Sequence, residues 1–314
     1  MTSDAPARAR LPHEAWREHE RVHIRRADAL TAGHRERAAR GEKHPVWDFL
    51  FQYYSFKPAV LRRWHPGAGV ELADAADSER AGWRWYREGS TPDSLIPDDA
   101  GYATEKPHLA SLIRIMLTRT ASRPGQFDCF GLHEWAMVYR SDAHRHPQPL
   151  RLGQDGTDSV VEEHELKCTH FDAFRFFTAE AEPRNRLRPT RDTQPDLDQP
   201  GCLHAGMDVY KWAIKLGPLV PGDLLLDAFE LAADIRSLDM RAAPYDLRAW
   251  GFDPVRIETP DGKAEYVRRQ RGFAERGNAL RRRILAAAFP DTAPAPSAQR
   301  IAAPVRADAA AAAG

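Results

Sequence analysis

Two apolar segments joined by a proline-glycine turn constrain this chain more than any other feature. Between residues 202 and 216 the apolar residues recur at helical spacing. Leu203, Met207, Tyr210 and Ile214 form one stripe, with Val209, Trp212, Ala213 and Leu216 beside it. Pro200-Gly201 makes the turn before this helix, and Gly217-Pro218 stops it. Pro221-Gly222 then opens a second helix, running from 223 to about 240. The polar residues of both segments fall on lines. His204, Asp208, Lys211 and Lys215 sit at i, i+4, i+7 and i+11, and Asp223, Asp227, Glu230 and Asp234 repeat that spacing. Folding the pair back at the turn predicts Lys215 near Asp223, Lys211 near Asp227 and His204 near Asp234. That charged seam would raise the pKa of His204. The alternative is that both lines face water, where ion pairs contribute about 0–1 kcal/mol each.

Around this hairpin the chain reads as a helix-rich α+β protein with a few short strands. Its 314 residues are 42% hydrophobic and include eight tryptophans, enough for one globular domain over residues 11–289. Residues 1–10 read as a disordered leader, 179–199 as a mobile arginine-rich loop, and 290–314 as a disordered Ala/Pro-rich tail. Lysine plus arginine equals aspartate plus glutamate at 45 each, so any nucleic-acid surface must be local. Three widely spaced cysteines argue against a disulfide framework and for a reducing compartment. No apolar run approaches membrane-spanning length and no signal-peptide core is visible, so the expected location is cytoplasmic, without a membrane partner.

Several dense segments flank the hairpin. Residues 43–66 hold seven aromatics, Trp47, Tyr53 and Tyr54 among them, interleaved with Lys43, His44, Lys57, Arg62, Arg63 and His65. Stacking on bases and neutralising phosphate would need that mixture, while two short core helices ending in a cationic turn would also produce it. His133 and Glu134 lie between Leu132 and Trp135. His170, Asp172 and Arg175 are embedded among four phenylalanines, where burying them unpaired would be costly. Tyr245 clusters with Asp239, Arg241 and Asp246 at the end of the second helix. Elsewhere the patterning predicts helices over 12–40, 104–120 and 264–288. It predicts strands near 70–73, 82–87 and 254–259, and a loop over 141–160.

The chemistry-bearing residues do not form a familiar motif. Three cysteine–histidine pairs recur (Cys129 with His133, Cys168 with His170, Cys202 with His204), but their spacings match no structural zinc grammar. No dinucleotide, P-loop, hydrolase-elbow or zincin signature is present, so no cofactor is called for by motif. A metal held by His133, His170, Asp172, His204 or Asp208 is the alternative, since imidazole and carboxylate suit iron, manganese and zinc. The remaining signal is carboxylates expected to be buried, with aromatics beside them: Glu134, Asp172, Asp208, Asp234 and Asp239. Such a carboxylate can act as general base or stabilise a developing cation, as N-glycosidic hydrolysis requires.

The blocks KHPVWDFLFQYYSFKPAVLRRWHPG, FGLHEWAMVYR, CTHFDAFRFFT, QPGCLHAGMDVYKW, DIRSLDMRAAPYDL and PVRIETPDGKAEYV resemble a bacterial family carried under the name 3-methyladenine DNA glycosylase. The resemblance spans residues 12–288. It implies DNA as partner and hydrolysis of the bond to an alkylated base, with Asp208, Asp239 or Glu134 as the catalytic carboxylate. The implied pocket residues are Trp47, Tyr53, Tyr54, Arg62, Arg63, His133, His170, Asp172, Arg175, His204, Lys211 and Tyr245. The chain departs from the helix-hairpin-helix glycosylases, because residues 216–222 lack the second hairpin glycine in register. Asp234 and Asp239 nevertheless fall near the catalytic spacing of those enzymes. A metal-dependent enzyme acting on a small metabolite, and a non-catalytic binding protein, stand as rival readings.

Overall fold

The computed structural model describes residues 9–290 apart from 142, 143 and 145. The expected leader and tail therefore lie outside the described residues, except Ala9, Arg10 and Pro290. Ala9 and Arg10 belong to a strand. The described residues form four strands: β1 (Ala9–Leu11), β2 (Val70–Leu72), β3 (Tyr86–Glu88) and β4 (Leu95–Pro97). The helices begin with α1 (His13–Ala39), α2 (Phe49–Tyr53), α3 (Pro58–Leu61), α4 (Asp99–Glu105), α5 (Pro107–Ser122) and α6 (Leu132–Ala136). They continue with α7 (Gly153–Glu163), α8 (Phe171–Phe174), α9 (Gln194–Leu197), α10 (Leu203–Leu216), α11 (Gly222–Ala242) and α12 (Pro260–Ala288). The fold is helix-rich α+β.

The expected hairpin forms. Cys202 is extended at the start of α10, and Gly217 ends it with φ +57°, a conformation glycine adopts without a Cβ clash. Most of α10 is buried, as a helix apolar nearly all round must be. It packs against α11, and α12 lies across both, with α5 against α12. Gly206 permits the close approach, since a Cβ there would fall 2.7 Å from Ile235 Cδ1.

The charged seam does not form. Asp223 and Asp227 of α11 meet Arg283 of α12 at 3.2 and 3.1 Å. Asp227 and Glu230 clasp Arg26 of α1 at 2.8 Å each, and Asp234 meets Arg276 at 2.7 Å. Asp234 is 54% exposed and touches none of the α10 residues expected opposite it. The reason is desolvation. Four carboxylates between two apolar helices would be starved of water, whereas the arginines of α1 and α12 meet them at the solvent edge.

Other expectations shift locally. Part of the expected loop over 141–160 is helix α7. Of the expected strand over 82–87, Gly82 ends a 3-10 turn (Glu79–Gly82), Trp85 sits at φ +61°, and the pairing begins only at Tyr86, in Tyr86–Glu88. The helix over 104–120 is two helices, divided where Pro107 opens α5. Residues 254–259 form no strand but lead into α12, whose cap is the Thr259 hydroxyl accepting from Gly262 N–H at 3.2 Å. The arginine-rich stretch expected to be mobile is tied down: Asn185 bonds both Cys168 N–H and Cys168 C=O, and Arg184 donates to the carbonyl of Glu162.

The sheet runs in the order β1-β2-β4-β3, with β1 parallel to β2 and the other pairs antiparallel. Helix α1 is the crossover between β1 and β2. A small core of Trp16, Trp64, Leu72, Ala75 and Leu95 lies beneath it. Buried Arg80 sits there between the rings of Trp16, Trp64 and Trp83, paired with Glu20 at 2.6 Å.

Gly201 governs the entry to α10. A Cβ there would lie 2.1 Å from the carbonyl oxygen of Gln126, which is backbone and cannot swing away. Gly201→Ala is expected to destabilise the protein by about 1–3 kcal/mol in urea denaturation. An unchanged midpoint would show that the loop before α10 relaxes freely.

Candidate functional site

The imidazoles that the sequence scatters over three segments meet on the inner side of α10. His133 comes from α6, a single turn that starts after Phe130 and Gly131, both in the left-handed region. His170 precedes α8, and His204 lies in the first turn of α10. The His204 ring is 4.6 Å from that of His133, edge to face, and 5.4 Å from that of His170, nearly parallel.

Each outer imidazole has its own carboxylate. His133 Nε2 lies 2.9 Å from Asp239 Oδ1, and the other oxygen of Asp239 accepts from Arg236 Nη1 at 3.0 Å. The same guanidinium lies 3.4 Å from Glu134 and over the ring of Phe49 at 3.8 Å. His170 Nδ1 is 2.9 Å from Asp198 Oδ1, while its Nε2 faces Asp208 Oδ2 at 3.9 Å. Asp208 also accepts from Tyr54 Oη at 3.2 Å and from Lys211 Nζ. His133, Asp239, His170, Asp198, Asp208 and Arg236 are all buried.

His204 differs from its neighbours. Among the described residues neither of its ring nitrogens makes a hydrogen bond. Its ring borders a small cavity of about 20 Å³, room for one water or one ion. All three cysteines, Cys129, Cys168 and Cys202, line that cavity with His133 and His204. The three Cys–His pairs of the sequence thus lie close together, His170 through its contact with the His204 ring.

Burial and charge set the protonation states. Burial pulls the His204 pKa well below its ordinary value, with His133 adding repulsion, so the ring is neutral and its lone pair free. This reverses the raised value expected from the seam, because Asp234 is elsewhere. For His133 burial also acts downward, but the charge and hydrogen bond of Asp239 outweigh it and the pKa rises. Asp198 does the same for His170. Burial would raise Asp239, yet His133, His204 and Arg236 together hold it well below the carboxylate range. Burial pushes Cys168 up to about 12, and Cys129 and Cys202 upward too, so these are neutral thiols forming an apolar wall.

No family model, curated protein or solved structure matches this chain. What the site can do therefore rests on its own atoms. Two sets of donors lie close enough to share an ion, with all ligand atoms of each set within 4.8 Å of one another. They are His133, His204 and Asp239, and His170, Asp198 and Asp208. A neutral imidazole with no proton partner, between carboxylates and beside an ion-sized cavity, fits a divalent transition metal.

Of the residues expected at the site, the structure brings together Tyr53, Tyr54, His133, Glu134, His170, Asp172, Arg175, His204, Asp208, Lys211 and Asp239. It leaves four outside. Arg62 pairs with Asp28 on α1 at 2.8 Å, and Arg63 lies over Trp83. Trp47 is 43% exposed against Phe252, and Tyr245 belongs to the same satellite cluster as Phe252. All four follow the packing of helix ends rather than the cleft. Of the metal alternatives, Asp172 is not among the donor sets and bonds Arg175 instead at 3.0 Å. Sequence reasoning missed Asp198 and Arg236. Arg236 could have been found from its i, i+3 spacing to Asp239, whereas Asp198 sits in a stretch with no periodic signal.

Proposed function

We propose that this chain is a metal-dependent enzyme, with His133, His204 and Asp239 and then His170 and Asp208 as the residues that hold the ion or ions, and Asp198 behind His170. The observation that carries this reading is His204: a neutral imidazole at the junction of both donor sets, without a hydrogen-bond partner. Such an ion would act as a Lewis acid and lower the pKa of a bound water, which suits hydrolysis of a small substrate. The chain's own groups have separate tasks. Asp198 orients His170 through Nδ1 and leaves Nε2 facing Asp208, the arrangement of an outer carboxylate behind a ligand imidazole. Arg236 clamps Asp239 so that its other oxygen stays on His133. Tyr54 and Lys211 hold Asp208 and can pass a proton to or from it.

The test is metal content. Protein purified without a histidine tag, and protein reconstituted with iron, manganese or zinc after chelation, is expected to carry at least about one ion per chain. His204→Ala should lose half of it or more, since outer and inner ligand changes weaken such sites tenfold to a hundredfold. Absence of any stoichiometric metal in both preparations would reject the reading.

A second reading, hydrolysis of the bond between an alkylated base and DNA, has one observation in its favour. Phe49 stacks on Tyr53 and Tyr53 meets Tyr54 edge to face beside Asp208, with ring centroids 5.1 and 4.9 Å apart, an aromatic wall next to a buried carboxylate. Release of methylated bases from alkylated DNA by the metal-free protein, lost in Asp208→Asn, would favour it over the metal reading.

A further inference from the structure

The outward side of Asp208 carries an unusual arrangement of cations. Lys211 Nζ bonds Asp208, lies 3.9 Å from Asp172, and sits 4.3 Å above the ring of Trp212. Lys215, one turn further along α10, lies over the same ring at 5.7 Å. Arg175 bonds Asp172 and rests on Phe176 at 4.0 Å, and Arg191 rests on Phe171 at 5.4 Å. Four cations thus face two carboxylates. Lys215 and Arg191 have no carboxylate partner among the described residues. An aromatic face fixes the position of a cation without neutralising it, so the excess charge stays available. The groups also feel one another: burial lowers the Lys215 pKa first, and Lys211 and Arg191 lower it further.

Solvated lysines and arginines on a helix surface usually spread apart to relieve repulsion. Here three aromatic platforms hold them together at the edge of the His170–Asp208 centre. We infer that this rim receives the anionic oxygen group, carboxylate or phosphate, of a small-molecule substrate, and so presents the rest of that molecule to His170 and Asp208. The inference rests on the enzyme reading above for the word substrate, but not for the binding itself. Lys215 and Arg191 supply the charge that the anion neutralises, and Arg175 offers the planar fork suited to two oxygens. Asp172 holds Arg175 at the rim beside Lys211, which it faces at 3.9 Å.

The experiment is calorimetric titration of the full chain, chelated free of metal, with inorganic phosphate and separately with malonate at low ionic strength. Saturable binding of one or both is expected, and which probe binds identifies the group. Binding should weaken by about tenfold or more in the double variant Lys215→Ala, Arg191→Ala, and should fall as chloride is raised. Circular dichroism and thermal unfolding of the variant should match the parent, since both side chains are at the surface. No saturable binding of either probe, or equal binding by parent and variant, would overturn the proposal. Because the titration uses metal-free protein, its outcome is separate from metal content. A chain without metal that binds the anion keeps the rim and loses the metal reading, and the converse removes the rim alone.

Discussion

Replacing Asp239 by alanine in the metal-free protein is expected to cost about 3–5 kcal/mol of folding stability, the range for breaking a buried ion pair from one side. Arg236 is buried, and among the described residues Asp239 and Glu134 are its only carboxylate partners and its Nε and Nη2 lack hydrogen bonds. Without Asp239 the guanidinium would remain desolvated with one partner at 3.4 Å. His133 would lose the neighbour that raises its pKa. Asp234→Ala, on the same helix, should cost about 0–1 kcal/mol, because its pair with Arg276 is half in solvent. The pH dependence has a definite sign. His133 has a raised folded-state pKa, so its contribution is complete below the unfolded value of 6.5 and is lost as pH climbs through the folded value. Asp239 has a lowered one, so its contribution is complete above the unfolded carboxylate value and lost as pH falls. Asp239→Asn should therefore cost most near pH 5–6 and less near pH 9, as measured by urea denaturation. Equal small losses for the Asp239 and Asp234 variants would mean that the network stores no stability.

Acid lability is the second large effect, and it arises away from the site. His65 packs between the sheet and α11, its Nδ1 3.0 Å from the hydroxyl of Tyr86. Burial pushes its pKa down to about 3, with Arg80, His23 and Arg63 adding repulsion. The shift works against folding in acid. With the unfolded value at 6.5, stability is full above that pH and drains away as pH falls toward the folded value, because only the unfolded chain takes up the proton. Between pH 7 and pH 4 the loss assigned to this group is on the order of 1–3 kcal/mol, allowing for its partial exposure. His23 adds to it in the same direction, since burial lowers its pKa while its Nε2–H donates to Leu61 C=O at 2.7 Å. His65→Gln should flatten the stability profile between those pH values, with exposed His108→Gln as the reference. A profile for His65→Gln that still parallels the parent would assign the acid loss to other groups.

The hairpin of α10 and α11 was legible because its information is local. Apolar residues at helical spacing, a Pro-Gly turn and a Gly-Pro stop act within a few residues, and the structure follows them almost to the residue. Helices α1 and α12 were legible for the same reason. The buried character of His133, Glu134, His170, Asp208 and Asp239 was also readable from the aromatic and aliphatic runs around them, but the same reading placed Asp234 inside, and it is 54% exposed beside Arg276. Which group meets which was not. The periodic acid line of α11 looks the same whether it faces α10 or the arginines of α1 and α12, and the cost of desolvating charge decided between them. Asp198 carries no local signal, and becomes a partner of His170 only because the stretch before α10 is pinned beside α8. The three cysteines come from distant segments, yet they line one cavity with His133 and His204, because packing α6, α8 and α10 together is a matter of distant contacts and not of chain distance. Sequence patterning determines which residues must be inside; the crossing of helices determines that His204 stands between two histidines with its nitrogens unclaimed.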